Sequence, residues 1–208
     1  GKGNKLKDVV GPLGKESLLM YVPEEERPNK RILFVAGGVG TAPVYPQVKW
    51  VKEHGMKADV IIGTKTKNTL IMEEQMKEVA DNLYVCTDDG SYGMKGLVTD
   101  CLKKLVESGE KYDEVVAIGP MVMMKFVSLL TKELGIKTTV SLNSLMVDGT
   151  GMCGACRVTI GGKTKFTCVD GPEFDAHLVD FDEAIRRQSM YKTHEIATDS
   201  EDHKCNLT

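Results

Sequence analysis

The sequence predicts an α/β fold: a five-stranded, doubly wound parallel sheet followed by a small cysteine-bearing β subdomain. Three observations carry that expectation. Short apolar runs alternate with amphipathic segments from residue 31 to residue 142. The loops of unusual composition recur at the carboxyl ends of those runs, where ligands of open α/β sheets sit. Beyond the last run, Cys153, Cys156 and Cys168 follow at close spacing among glycines.

Arg31–Ala36 is a continuous apolar run suited to a strand buried on both faces. It ends in Gly37-Gly-Val-Gly-Thr-Ala-Pro43, and the amphipathic segment Val44–His54 follows as a helix. Ala58–Ile62 and Leu83–Cys86 are the next strands, with helices over Thr69–Val79 and Leu97–Val106. Val115–Ile118 leads into a helix over Met121–Leu134, which Gly135 stops. Lys137–Leu142, with β-branched Thr138, Thr139 and Val140, closes the series as the fifth strand. After Cys156, the stretch from Arg157 reads as a β-hairpin turning at Gly161-Gly162.

The ends of the chain are less regular. Leu6–Val10 reads as a short strand entering a Gly/Pro turn, and Pro23–Pro28 as a polar linker. The segment from Thr193 to Thr208 is polar, which marks it as a mobile tail. The expected organisation is residues 1–30 as an entry segment, 31–142 as a nucleotide-binding domain, 143–190 as a cluster domain and 191–208 as a tail.

Bulk composition narrows the function classes. The 208 residues carry a net charge of −3, with 41% hydrophobic and 27% charged residues. These are globular values, and they give no basic field for nucleic acid or anionic lipid. No apolar run approaches the ~20 residues that span a bilayer, so a soluble, cytoplasmic protein is expected. Cys86 and Cys101 lie in apolar periodic segments and read as core thiols. Cys205 falls in the polar tail.

Gly38-Val-Gly40-Thr41-Ala42-Pro43 is G-x-G-x-x-P between a strand and a helix. Strand, glycine turn and helix start present free backbone N–H groups and the positive helix end to a phosphate. Pro43 suits the first helical turn, where its missing N–H costs nothing. Thr87-Asp88-Asp89-Gly90-Ser91 places two carboxylates beyond the third strand, which suit ribose hydroxyls; an Asx turn accounts for the same residues. Lys65, Lys67 or Lys95 could meet a phosphate, although solvated lysines are the default. Gly119-Pro120-Met121 opens a methionine-rich helix that could lie beside a flat ring or simply pack the core.

Asp148, Cys153, Cys156 and Cys168 form D-x4-C-x2-C-x11-C, close to the C-x4-C-x2-C…C ligand spacing of [2Fe–2S] ferredoxins. Gly149, Gly151 and Gly154 allow the close backbone wrapping such a loop needs. A zinc ribbon would offer a second C-x2-C or a His pair, and a redox dithiol would open a helix. Neither pattern is present, so iron–sulfur ligation is the reading preferred here.

These motifs together, with Cys168-Val-Asp-Gly-Pro-Glu-Phe174, resemble the ferredoxin–NADP⁺ reductase superfamily. Within it, the chain is similar to the electron-transfer subunits of dihydroorotate dehydrogenase. It is more similar to the small subunit of NADH-dependent ferredoxin:NADP⁺ oxidoreductase, also described as a sulfide dehydrogenase subunit. The resemblance spans about residues 5–190.

It implies a [2Fe–2S] cluster on Asp148, Cys153, Cys156 and Cys168, where the dihydroorotate-linked subunits would carry Cys at position 148. It also implies NAD(H) or NADP(H) on the Gly38–Pro43, Thr87–Ser91 and Gly119–Met121 loops. FAD would be held mainly by a barrel of which residues 1–30 are a remnant, and the partner would be a larger flavoprotein subunit. The implied function is electron transfer between pyridine nucleotide, flavin, cluster and partner. The alternatives are a dihydroorotate-linked subunit and a non-catalytic module stabilised by zinc. The plant-type reductases of this superfamily carry Cys immediately before the Gly-Pro pair; Ile118 stands there in this sequence.

Overall fold

The computed structural model describes residues 8–190. Its sheet strands are β1 (Arg31–Gly37), β2 (Lys57–Thr64), β3 (Asn82–Thr87), β4 (Met94–Lys95), β5 (Glu114–Ile118), β6 (Lys137–Ser141) and β9 (Glu173–Asp175). The strands β7 (Arg157–Ile160) and β8 (Lys163–Phe166) form a separate hairpin. The helices are α1 (Thr41–Glu53), α2 (Glu73–Val79), α3 (Val98–Glu107), α4 (Met121–Glu133), α5 (Thr167–Asp170) and α6 (Phe181–Gln188).

All five expected strands are present, and all are parallel. The sheet order is β4-β3-β2-β1-β5-β6-β9. The order reverses between β1 and β5, so the crevice at the carboxyl ends of those two strands is the topological switch point. Two strands extend the expected five. The two-residue β4 pairs with β3 inside the loop after Thr87, and β9 returns from the cysteine-bearing segment to pair antiparallel with β6. The C-terminal segment is thereby joined to the sheet itself.

Alternation along β1 builds two cores. Ile32, Phe34 and Ala36 face α1 and α2, packing on Val44, Val48, Val51 and Met76. Leu33 and Val35 face the other way, onto Val98, Leu102, Met124, Phe181 and Ala184 of α3, α4 and α6. Each large side chain buried in these layers contributes about 1.5–3 kcal/mol. Cys86 and Cys101 are buried in the second layer, as their apolar setting predicts. At the amino end of the sheet, Asp59 is fully buried. It accepts hydrogen bonds from Arg31 Nη2 at 2.6 Å, Asn82 Nδ2 at 2.9 Å and Tyr112 Oη at 3.0 Å, which satisfies its charge.

Several boundaries move for local reasons. The first helix starts at Thr41, which places Pro43 in its first turn, and it carries Pro46 in its interior. The helix expected over Thr69–Val79 splits into a short 3₁₀ turn at Lys67–Thr69 and α2, with Met72 left-handed at φ 56° between them. Asp8, Val9 and Val10 lie in no strand, so the strand expected at Leu6–Val10 is corrected where it can be seen. An extended segment becomes a strand only when another edge pairs with it, and among the described residues none does. Leu6, Cys205 and the tail Thr193–Thr208 lie outside the described residues.

Candidate functional site

The sheet holds a cavity of about 500 Å³ at the switch point. Its floor and walls come from the first residues after each strand: Gly38 and Val39 after β1, Lys65 after β2, Asp88 after β3, and Pro120 after β5. Thr64 of β2 and Thr99 of α3 add hydroxyls. Met123 and Phe126 of α4 give one apolar wall, and Leu97 and Val98 give another.

The starts of α3 and α4 reach this space, as does the 3₁₀ turn that precedes α1. The first turn of α4 has no side-chain cap, so backbone N–H groups there are left for a ligand, whereas the Thr41 N–H at the start of α1 is taken by the 3₁₀ turn Gly38–Gly40. Helix starts carry partial positive charge, and Lys65 adds a full one. Such a cavity suits a ligand with a flat apolar ring and an anionic group.

The glycines of the first motif are needed for packing. A Cβ on Gly40 would lie 2.3 Å from the Ile118 carbonyl oxygen. A Cβ on Gly119 would lie 3.0 Å from the Gly37 Cα, and one on Gly37 would lie 2.8 Å from Pro120 Cδ. Only glycine lets the end of β1, the start of α1 and the β5–α4 turn approach this closely.

The expected nucleotide contacts therefore divide. Gly38, Asp88 and Pro120 line the cavity. Gly40 and Gly119 shape it by close approach. Thr41 is buried and donates from Oγ1 to the Gly38 carbonyl at 2.9 Å. Met121 is buried in the core, and Val122 and Met123 line the cavity in its stead. Ala42 and Pro43 are exposed in the first turn of α1.

The Thr87–Ser91 loop largely satisfies itself. Thr87 Oγ1 donates to the Tyr92 carbonyl at 2.7 Å. Asp89 accepts from the Ser91 N–H at 2.9 Å and from its hydroxyl at 2.7 Å across Gly90, and these bonds hold its carboxyl below the usual range. Ser91 Oγ in turn accepts from the Lys67 N–H at 2.8 Å. The cavity residues that the motifs do not name, among them Val39, Thr64, Leu97 and Phe126, are marked only by their place just beyond a strand or at a helix start.

The second site lies in the loop after β6 and in the hairpin that follows. The turn at Gly161-Gly162 is present, both glycines at positive φ, and it sets the register Ile160↔Lys163 to Arg157↔Phe166. One residue further out, Thr167 donates both its N–H and its Oγ1 to the Cys156 carbonyl, at 3.2 and 3.0 Å. The eleven-residue gap is thus one hairpin, and it brings Cys168 back beside Cys156. Their sulfurs are 3.2 Å apart and buried.

Asp148 and Cys153 make a second, exposed pair. Asp148 accepts from the Thr150 N–H and hydroxyl through Oδ1 and from the Cys153 N–H at 2.8 Å through Oδ2. These bonds, with that from the Cys153 thiol first among them, hold its carboxyl well below the usual carboxylate range. The Gly151 N–H reaches Cys168, while burial pushes the Cys168 thiol up.

The donor set fits a binuclear cluster. In a [2Fe–2S] centre each iron takes two protein ligands, and the four expected residues stand as two pairs. Among the described residues no three His, Cys, Asp or Glu side chains converge. Gly149, Gly151 and Gly154 are all at positive φ, and several N–H groups of the loop turn inward on acceptors. A loop of this form suits an anionic group.

Comparison with known proteins covers both regions of the chain. Residues 34–129 match the oxidoreductase NAD-binding domain, and residues 143–180 match the iron–sulfur cluster binding domain of dihydroorotate dehydrogenase B. The dihydroorotate dehydrogenase B (NAD⁺) electron transfer subunit homolog of Thermotoga maritima is 49% identical, over 93% of this chain and 66% of that protein. The probable electron transfer subunit of Methanocaldococcus jannaschii is 36% identical, over 89% of this chain and 67% of that protein. The chain belongs to the dihydroorotate dehydrogenase B electron-transfer subunit family.

Among solved structures, the chain is similar to the NADH-dependent reduced ferredoxin–NADP oxidoreductase, described in connection with flavin-based electron bifurcation. One of its chains matches with a TM-score of 0.82 and 47% identity, over 94% of this chain and 67% of that one. The chain thus spans about two thirds of the length of the relatives it matches. Within the family, the cavity at β1 and β5 falls in the NAD-binding domain and Asp148–Cys168 in the iron–sulfur domain. Among the described residues no helix is long and apolar enough to cross a membrane.

Proposed function

We propose that this chain is the nucleotide- and cluster-bearing part of an electron-transfer subunit. It passes electrons between a pyridine nucleotide, FAD and a [2Fe–2S] cluster to a larger oxidoreductase subunit. The observation that carries the reading is structural continuity. The strand β9, which begins five residues past Cys168, pairs with β6 of the sheet that holds the nucleotide cavity. Through β9 the cysteine-bearing segment is tied to the sheet that holds the nucleotide cavity, which limits movement between the two regions.

The uncapped start of α4 and the Gly38–Val39 turn, with Lys65, receive the pyrophosphate, and Asp88 faces a ribose. Phe126, Met123 and Leu97 hold the rings and exclude water. Asp148, Cys153, Cys156 and Cys168 hold the cluster, and FAD contacts fall mainly on the longer relatives' additional segment. The flavin supplies the step between two-electron hydride and one-electron cluster chemistry. A carboxylate at Asp148, where a dihydroorotate-linked subunit would carry Cys, favours the ferredoxin:NADP⁺-linked branch. The match to an iron–sulfur domain model displaces the zinc-module reading.

The test is an iron, sulfide and flavin assay on the full-length protein, joined to anaerobic reduction by NADH and NADPH. Two irons and two sulfides per chain, with cluster bleaching by one nucleotide, are expected. One zinc, or iron that neither nucleotide reduces in the presence of FAD, would sink the reading.

A further inference from the structure

The loop from Leu142 to Cys156 contains no helix or strand, yet on the reading above it presents three of the four ligands, Asp148, Cys153 and Cys156. It is held from outside at two points by α6. Gln188 Nε2 donates to the Asn143 carbonyl at 2.8 Å and to its side-chain oxygen at 3.1 Å, at the loop's entry. Arg187 Nη2 donates to the Ala155 carbonyl at 3.1 Å, between Cys153 and Cys156.

The helix that carries both residues is itself anchored. Phe181 and Ala184 are buried in the core shared with α4. Asp180 caps the first turn by accepting from the Glu183 N–H at 2.9 Å, and Asp182 pairs with Lys125 of α4 at 2.6 Å. The match to the iron–sulfur domain ends at residue 180, so α6 lies beyond it.

Helix-end electrostatics alone would be served by Arg186, which is exposed in the same last turn. Arg187 instead turns to the loop, and its Nε is buried with no hydrogen-bond partner among the described residues. A half-buried guanidinium with spare donor capacity beside a ligand loop is placed to offset negative charge. Two ferric ions, two sulfides and four anionic ligands sum to a dianion, and reduction adds one more negative charge. A fixed cation stabilises the more negative state most.

We propose that Arg187 is a positioning residue of the iron–sulfur centre: it pins the Ala155–Cys156 peptide between two thiolate ligands, and its charge favours the reduced cluster. Gln188 is the matching anchor at the loop's entry. The inference rests on the electron-transfer reading above.

The experiment compares wild type, Arg187→Gln, Arg187→Lys and Gln188→Ala in the full-length protein. It measures the cluster midpoint potential by EPR-monitored titration and iron release to a chelator. Arg187→Gln should move the potential to more negative values and speed release several-fold. Arg187→Lys should keep the potential near wild type. Gln188→Ala should speed release and leave the potential unchanged.

Equal potentials and release rates in wild type and Arg187→Gln would overturn the inference and leave the electron-transfer reading standing. Should Arg187→Gln purify without iron, normal circular dichroism and nucleotide affinity, with the Lys and Gln188→Ala results above, would support it. Loss of nucleotide binding together with the cluster would count against it, as a general folding defect. Wild type devoid of iron and sulfide would sink the electron-transfer reading itself.

Discussion

In the cavity at β1 and β5, most residues that the motifs single out face away from the ligand space, whereas in the loop after β6 the donor side chains are the site. Gly40 and Gly119 act by what they lack, letting backbone approach backbone, and Thr41 and Met121 serve the core. On the proposed reading, Asp148, Cys153, Cys156 and Cys168 act by the atoms they carry. The first site is thus a property of the packed sheet. The second is a property of ligand spacing supported by one hairpin and one helix.

That contrast predicts how each region fails. The largest effect is expected from Cys156→Ser, which removes a donor from the buried sulfur pair. Visible absorption of the iron–sulfur centre should fall almost completely, while nucleotide affinity, read by fluorescence titration, stays near wild type. A full spectrum after this change would remove Cys156 from the ligand set.

Gly40→Ala should behave in the opposite way. Its Cβ would press on the Ile118 carbonyl, at a cost of roughly 1–3 kcal/mol. Thermal unfolding should show a lower midpoint and titration a weaker nucleotide affinity, with iron content unchanged. An intact affinity would show that the β5–α4 turn can yield, and that the motif's glycine is there for some other reason.

Asp148→Cys comes next and tests the exposed pair. The cluster should persist with a shifted potential and an altered EPR signal, because a thiolate replaces a harder oxygen donor. Unchanged values would mean that Asp148 only organises the loop through Thr150 and Cys153.

The smallest effect concerns pH and the start of α2. Lys77 and Tyr92 hold the Glu73 carboxyl below its ordinary range. That contribution is fully present above the unfolded-state pKa of about 4.3 and is lost as pH falls through the folded one. Glu73→Gln should therefore destabilise slightly at neutral pH and flatten the acid limb of the stability curve. Denaturation midpoints between about pH 3 and 7 measure it, and an unchanged acid limb would contradict the pairing.

Much of both regions was legible because the signals are local. The continuous apolar run Arg31–Ala36 and the β-branched Thr138–Val140 marked buried strands by composition alone. The D-x4-C-x2-C-x11-C spacing is a statement about chain geometry, which the Gly161-Gly162 hairpin explains. The split at Met72 was not legible, since a left-handed methionine has no sequence signature. Nor was the self-bonding of Thr87–Ser91 separable from a ribose contact, because the same carboxylates serve either.

The sequence by itself determined the strand and helix alternation, the glycine turn at the switch point and the four-ligand spacing. Each of these depends on residues near one another in the chain. Only the tertiary structure decided that Phe126 and Leu97 face one cavity, that β9 returns to β6, and that α6 reaches back to Asn143 and Ala155. Those pairings join segments tens of residues apart, and burial in a shared core, with no local pattern to announce it, sets which side chains meet.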